Sequence, residues 1–175
     1  MASVLVVHRQ TLQRLGLRML LAAEPDLTVV GEAASGADAV RMSAALRPDV
    51  VLMDSSVVDT DRVDVIRRIS RPPTLLPVSE PADGAARSPR VLVLTPTDHE
   101  RYAYAALRAG AGGFLPLGAT PEELIAAVRV VAAGDAVTTP GLTRALIDTV
   151  RQERTPARRN GNPSCTRSPA ANATS

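Results

Sequence analysis

The sequence predicts an α/β fold carried by a five-stranded parallel sheet, and three observations predict it. Val4-Leu5-Val6-Val7, Val50-Val51-Leu52-Met53 and Val91-Leu92-Val93-Leu94 are uninterrupted apolar runs rich in β-branched residues, the pattern of strands covered on both faces. Helical patterns alternate with such runs over residues 1–133. Five consecutive βα units then require parallel strands joined by right-handed crossovers.

The elements follow in order. The first strand, over 4–7, leads into a helix near 10–22. A weaker strand at Leu27–Gly31 precedes a helix over 36–46, and the third strand, 50–53, precedes one over 60–69. Residues 70–89 are rich in Pro, Ser, Ala and Gly; at about 20 residues they are long for a connection between helix and strand and predict a mobile excursion. The fourth strand, 91–94, is followed by a helix over 98–109, and a weaker fifth strand at Gly113–Pro116 by a helix over 120–133. That last helix is the best defined. Leu124, Ile125, Val128, Val131 and Ala132 share one face. Thr120 as N-cap, Pro121 at the first helical position and Glu123 three residues on form a capping box, and Gly134 ends the helix. Thr139-Pro140 can then open a linker helix, within 134–154, that carries Leu142, Leu146, Ile147 and Val150. From Thr155 to Ser175 the composition of Pro, Arg, Asn, Ser and Ala without periodicity predicts disorder.

Composition narrows the function. With 175 residues, 45% of them hydrophobic and 22% charged, the chain reads as one globular domain. No apolar stretch approaches the roughly 18 residues of a membrane span, and no basic segment precedes a long apolar one at the N-terminus, so no secretory signal is expected and the location expected is cytoplasmic. One cysteine, Cys165, excludes an internal disulfide framework, and two histidines, His8 and His99, argue against a histidine-rich metal centre. All 20 strongly basic residues are arginine. Schiff-base chemistry, a P-loop lysine and a catalytic lysine base are thereby excluded. Residues 1–150 hold 15 Arg against 17 acidic residues, net −2, whereas 151–175 hold five Arg against one Glu, net +4. The basic character belongs to the tail, and the body is not a nucleic-acid surface by charge.

In an open α/β sheet, ligands bind beyond the carboxyl ends of the strands. The residues there are His8 and Arg9 after the first strand, Asp54 after the third, Thr95 at the end of the fourth and Leu117 after the fifth. The strings VLVVHRQTLQRLGLRMLLAAEPDLTVVGEA, RPDVVLMDSS, RVLVLTPTD and ALRAGAGGFLPLGATPEELIAAVRVVAAGDA come in that order. Together they make residues 3 to about 150 resemble the receiver domain of bacterial response regulators, of the NarL/LuxR type. The resemblance implies a doubly wound five-stranded parallel sheet of order 2-1-3-4-5, of the flavodoxin-like kind, and a non-enzymatic signalling role. It puts the phospho-acceptor aspartate at Asp54, the hydroxyl that follows the phosphoryl group at Thr95 and the switch aromatic at Phe114.

Three features of the family are missing. The acidic pair that holds Mg²⁺ is His8-Arg9 here, the lysine that grips the phosphoryl group is Leu117, and the proline- and glycine-containing loop after the acceptor reads SSVVDTDR. Phosphoryl transfer needs a cation to neutralise charge on the equatorial oxygens, and Mg²⁺ needs several oxygen ligands, one or two of them carboxylates. The expectation is an atypical receiver: no cofactor, Mg²⁺ binding weak or absent, and Arg9, or less favourably His8, contacting Asp54 in place of the metal. Asp59, Asp61 and Asp64 could serve as replacement ligands, but a solvated loop and helix start explains them better. Tyr102 and Tyr104, two apart on a helix, predict one buried and one exposed ring.

The partners this implies are a second copy of the chain and a sensor kinase or other signalling protein. DNA would be reached only through a helix-turn-helix domain, whose opening string, of the form LTxRExxVL, does not occur in the sequence. One choice of codons for the tail yields such a string in a shifted frame. Back-translated with GC-rich codons, and TCA for Ser168, the frame starting at the third base of the Cys165 codon reads HPLTGRERDVL, so the expectation is that residues from somewhere after Val150 are an out-of-frame remnant of that domain, the alternative being an ordinary disordered Arg/Pro linker. Two rival functions remain at this point. One is a receiver that senses a small molecule without phosphorylation. The other is a flavodoxin-like or nucleotide-binding enzyme, against which HRQTLQRLG offers no glycine-rich phosphate loop.

Overall fold

A computed structural model describes residues 1–57, 61–71, 88–96, 100–138, 143, 144 and 147. Strands β1 (Ala2–Val7), β2 (Leu27–Ala33), β3 (Val50–Asp54), β4 (Arg90–Thr95) and β5 (Ala111–Pro116) alternate with helices α1 (Thr11–Ala22), α2 (Gly36–Leu46), α3 (Arg62–Ser70), α4 (Glu100–Ala109) and α5 (Pro121–Ala133). The strands form one parallel sheet of order β2-β1-β3-β4-β5. The chain runs outward from β1 to β2 and returns to β3, so the order reverses between β1 and β3, and a crevice opens beyond their carboxyl ends.

The continuous apolar runs have a simple cause. Side chains alternate between the two faces of a strand, and both faces of this sheet are covered. Leu5, Val7, Val51, Met53, Val91 and Val93 pack into the layer of α2, α3 and α4. Val4, Val6, Val50, Leu52, Leu92 and Leu94 pack into the layer of α1 and α5. Each fully buried aliphatic side chain contributes about 1.5–3 kcal/mol. Helix α4 turns Ala103, Ala106 and Ala109 inward, small residues that let it lie close to the sheet. Helix α1 is the opposite case: of its residues only Leu21 is buried, and Leu12 and Met19 are exposed.

Helix starts carry the expected chemistry. Thr120 and Glu123 form the capping box, with Pro121 behind it, and Gly134 closes α5 in the left-handed region at φ 111°. Ser35 caps α2 and Asp61 caps α3. The expected starts of α3 at 60 and of α4 at 98 lie outside the described residues, as do 72–87 of the long connection and the tail 155–175. Of the expected linker helix, Thr143, Arg144 and Ile147 are helical; most of the rest lies outside the described residues.

Candidate functional site

The carboxyl ends of β1 and β3 bring His8 and Asp54 together. The register pairs Val7 with Met53, so the next residues on each strand, His8 and Asp54, stand level. His8 is still tied into the sheet by its N–H, which donates to the Ala33 carbonyl at 3.1 Å. Both side chains are buried, at 8% and 3% exposure, and His8 Nε2 lies 3.4 Å from Asp54 Oδ2. The N–H of Gln10 donates to His8 Nδ1 at 3.0 Å. A ring nitrogen that accepts carries no proton, so the proton of the neutral imidazole is on Nε2, facing the carboxylate. The other oxygen, Asp54 Oδ1, accepts from the Ser56 N–H at 2.6 Å.

Arg9 does not make the contact expected of it. The residue is exposed and its side chain forms no ion pair among the described residues. The reason is register: Arg9 stands one residue past the level of Asp54, where the chain turns into α1, and the Arg9 carbonyl accepts instead from Arg14 Nη1 at 3.0 Å. The less favoured candidate, His8, takes the place.

The remaining positions line the same end of the sheet. Thr95 is half-buried, and its hydroxyl donates to the Pro96 carbonyl at 3.1 Å. Leu117 is 51% exposed, with its N–H on the Thr95 carbonyl at 3.0 Å; an apolar side chain points to solvent where a grip on an anion is expected. Phe114 is fully buried. Asp61 is occupied as the α3 cap, Asp64 pairs with Arg67 at 3.6 Å, and Asp59 lies outside the described residues. Both tyrosines are half-buried, so the expected split into one buried and one exposed ring does not hold: Tyr104 has Arg108 over its ring at 5.9 Å and Tyr102 has Arg62 over its ring at 4.9 Å.

Arg62 is the residue that sequence reasoning missed. It opens α3, and its Nη1 donates to the carbonyl of Ser55, directly after Asp54, at 2.7 Å. The only available signal was that an arginine closes the unusual SSVVDTDR loop. Burial pushes the Tyr102 phenol up to about 12 in spite of the Arg62 charge, with Asp61 adding to the rise. An open cavity of about 450 Å³ beside Arg90, Gly110 and Asp135 lies at the amino ends of β4 and β5 and belongs to none of this.

These residues do not fit Mg²⁺. The ion takes oxygen ligands in octahedral geometry, and Asp54 is the one carboxylate of the constellation, with one oxygen on a backbone N–H and the other facing an imidazole N–H. Among the described residues no group of three or more His, Cys, Asp or Glu side chains could hold a metal ion.

A single parallel sheet of this order, with an aspartate at the end of β3 in the crevice, defines a receiver. Residues 4–129 match the family model described as the response regulator receiver domain, and the chain belongs to that family, one of signalling modules and not of enzymes. It is 29% identical over 161 residues to the nitrate/nitrite response regulator protein NarL of Escherichia coli (strain K12), covering 92% of this chain and 68% of that protein. It is 32% identical over 146 residues to the response regulator GacA of Pseudomonas aeruginosa, covering 83% of this chain and 62% of that protein. The crystal structure of a two-component response regulator of the LuxR family from Aurantimonas sp. SI85-9A1 superposes with a TM-score of 0.68 at 27% identity, over 86% of this chain and 98% of that one. The chain is thus related to NarL/LuxR-type regulators. Among the described residues no helix is long and apolar enough to cross a membrane.

Proposed function

We propose that this chain is the receiver of an atypical two-component transcriptional regulator, in which aspartyl phosphorylation is impaired or absent and the signal passes through protein contacts in the cytoplasm. The observation that carries this is the buried His8 imidazole, set level with Asp54 and oriented by Gln10. It stands where the family places a metal-binding carboxylate, and an N–H donor there offers nothing to Mg²⁺. Leu117 supports the same reading, because an exposed leucine cannot neutralise a phosphoryl oxygen. Asp54 keeps the acceptor position without the chemistry around it, and Thr95 and Phe114 keep the switch positions. A sensor kinase or another signalling protein is the partner this predicts, with a second copy of the chain as a further one. DNA would be reached only through a helix-turn-helix domain, which the described residues do not form.

Acetyl phosphate, offered to the protein with and without millimolar Mg²⁺ and followed by intact-mass measurement, tests the reading. Little or no adduct at Asp54 is expected in either arm; stoichiometric labelling with Mg²⁺ would overturn it. Because His8 and not Arg9 faces Asp54, Arg9→Asp alone is expected to gain no Mg²⁺ affinity, whereas His8→Asp combined with Arg9→Asp is expected to gain it measurably by calorimetry.

A further inference from the structure

Phe114 is held from two directions that the Asp54 crevice does not use. Its ring meets Tyr102 edge to face, with centroids 6.5 Å apart and planes at 89°. The Tyr102 hydroxyl is buried without a hydrogen-bond partner, so it supplies no anchor, and the ring is positioned by what packs on it. Over the Tyr102 ring lies the Arg62 guanidinium, 4.9 Å from the centroid, an attraction that strengthens when the pair is removed from water. Arg62 is in turn fixed to the Ser55 carbonyl beside Asp54.

The second hold is on the backbone. The N–H of Phe114 donates to the Val137 carbonyl at 2.8 Å, and the N–H of Val137 donates to the Gly112 carbonyl at 3.3 Å. This is an isolated parallel bridge on the outer edge of β5. It exists because residue 113 is glycine: a Cβ there would stand 2.7 Å from the Val137 oxygen. Val137 belongs to the stretch that leaves the sheet after α5. Contacts therefore run without a break from the loop after Asp54, through Arg62, Tyr102 and Phe114, to the chain leaving the receiver body. Thr95 is not on this route, since its hydroxyl is turned to the Pro96 carbonyl.

We propose that Arg62 is a positioning residue that couples the Asp54 loop to Val137: by holding Tyr102 against Phe114 it keeps the edge of β5 seated on the segment that follows α5. The proposal rests on reading the chain as a receiver that signals through protein contacts, and it names the way out of the crevice. Proximity along a path is not coupling, so the test is a double-mutant cycle read at two specific amides. In the full chain, without metal or phosphodonor, amide hydrogen exchange is followed by NMR in the wild type, Arg62→Ala, Tyr102→Leu and the double variant. The Phe114 and Val137 amides are expected to exchange roughly tenfold faster in each single variant. The double variant is expected to be no faster than Tyr102→Leu, and the amides of Leu21 and Val128 to be unchanged. Arg62→Gln, which keeps the first part of the stem and a polar end but removes the guanidinium and its charge, is expected to repeat the Arg62→Ala result. Gly113→Ala, which unseats Val137 directly, is expected to expose the same two amides with Arg62 intact. Unchanged protection of Phe114 and Val137 in the Arg62 variants, equal acceleration throughout the molecule, or additive effects in the double variant would each overturn the proposal. Phosphorylation of Asp54 in the acetyl phosphate experiment would defeat the reading of the crevice and leave this result standing.

Discussion

At Asp54 one carboxylate oxygen accepts from a backbone N–H and the other lies 3.4 Å from His8 Nε2, and the residue is closed off from solvent. His8→Ala would remove the imidazole that stands 3.4 Å from a buried carboxylate oxygen, at a cost of about 1–3 kcal/mol, measurable as a lower urea midpoint at pH 7. Tyr102 gives the opposite expectation. Its hydroxyl is buried and unpartnered, so Tyr102→Phe should raise stability by about 1 kcal/mol while keeping the ring contacts. The phenol also sets an alkaline limit. Its folded value, about 12, lies above its ordinary 10.0, so the folded state holds the proton more tightly than the unfolded chain. That contribution is complete below pH 10 and is lost as pH rises through 12. Tyrosinate absorbance and far-UV circular dichroism should change together in that window, and Tyr102→Phe should separate them. The strand-end positions were legible in the sequence because apolar runs stop abruptly at Val7 and Met53. The choice between His8 and Arg9 needed the register of two strands some 45 residues apart, which no local pattern carries. The Arg62–Tyr102–Phe114 stack needed the packing of α3 against α4, and sequence reasoning had no access to it.

Among the elements, the start of α5 and the end of α2 are the termini with the clearest energetic consequences. Thr120 satisfies the Glu123 N–H and Glu123 returns to the Thr120 N–H, so Thr120→Ala should cost about 1 kcal/mol in denaturant unfolding. Helix α2 closes on Arg47 at φ 45°, a left-handed position taken by a residue with a Cβ. Arg47→Gly should therefore gain about 0.5–1 kcal/mol in the same measurement. Arg129 on α5 reaches Asp26 at 2.6 Å and Glu24 at 2.7 Å in the turn before β2, and its hydrogen bond holds the Asp26 carboxyl below the usual range. That tie is present above Asp26's ordinary 3.8 and weakens as pH falls through its lowered value. Element type was readable for the strands and helices between Ala2 and Ala133 because strand runs and helical stripes have different periods. Ends were less so: β1 and β5 each begin two residues earlier than the apolar runs suggest, at Ala2 and Ala111, where backbone pairing continues past the last large side chain.

For the whole molecule, the sheet divides one core into two, each completed by a different set of helices. Leu52→Ala, at a fully buried position in the α1/α5 layer, should cost about 2–5 kcal/mol. Charge is divided as well. With net −2 over 1–150 and net +4 over 151–175, binding of DNA by this chain should be weak, indifferent to sequence and abolished by moderate salt; a salt-resistant, sequence-specific shift in an electrophoretic assay would contradict that. The bridge at Val137 has one more effect, on the company the sheet can keep. An open sheet ends in two strands whose outward N–H and C=O groups can template a foreign strand and seed aggregation. On β5 the Phe114 N–H and the Gly112 carbonyl are already used by the chain itself. The remaining rim is β2, where Glu32 sits with Arg14 at 3.6 Å and Arg18 at 3.4 Å, and a strand added there would have to settle beside that charge cluster. One rim is interrupted at its middle by the protein's own backbone and the other carries ion pairs, so a strand added at either end would meet an obstacle of a different kind.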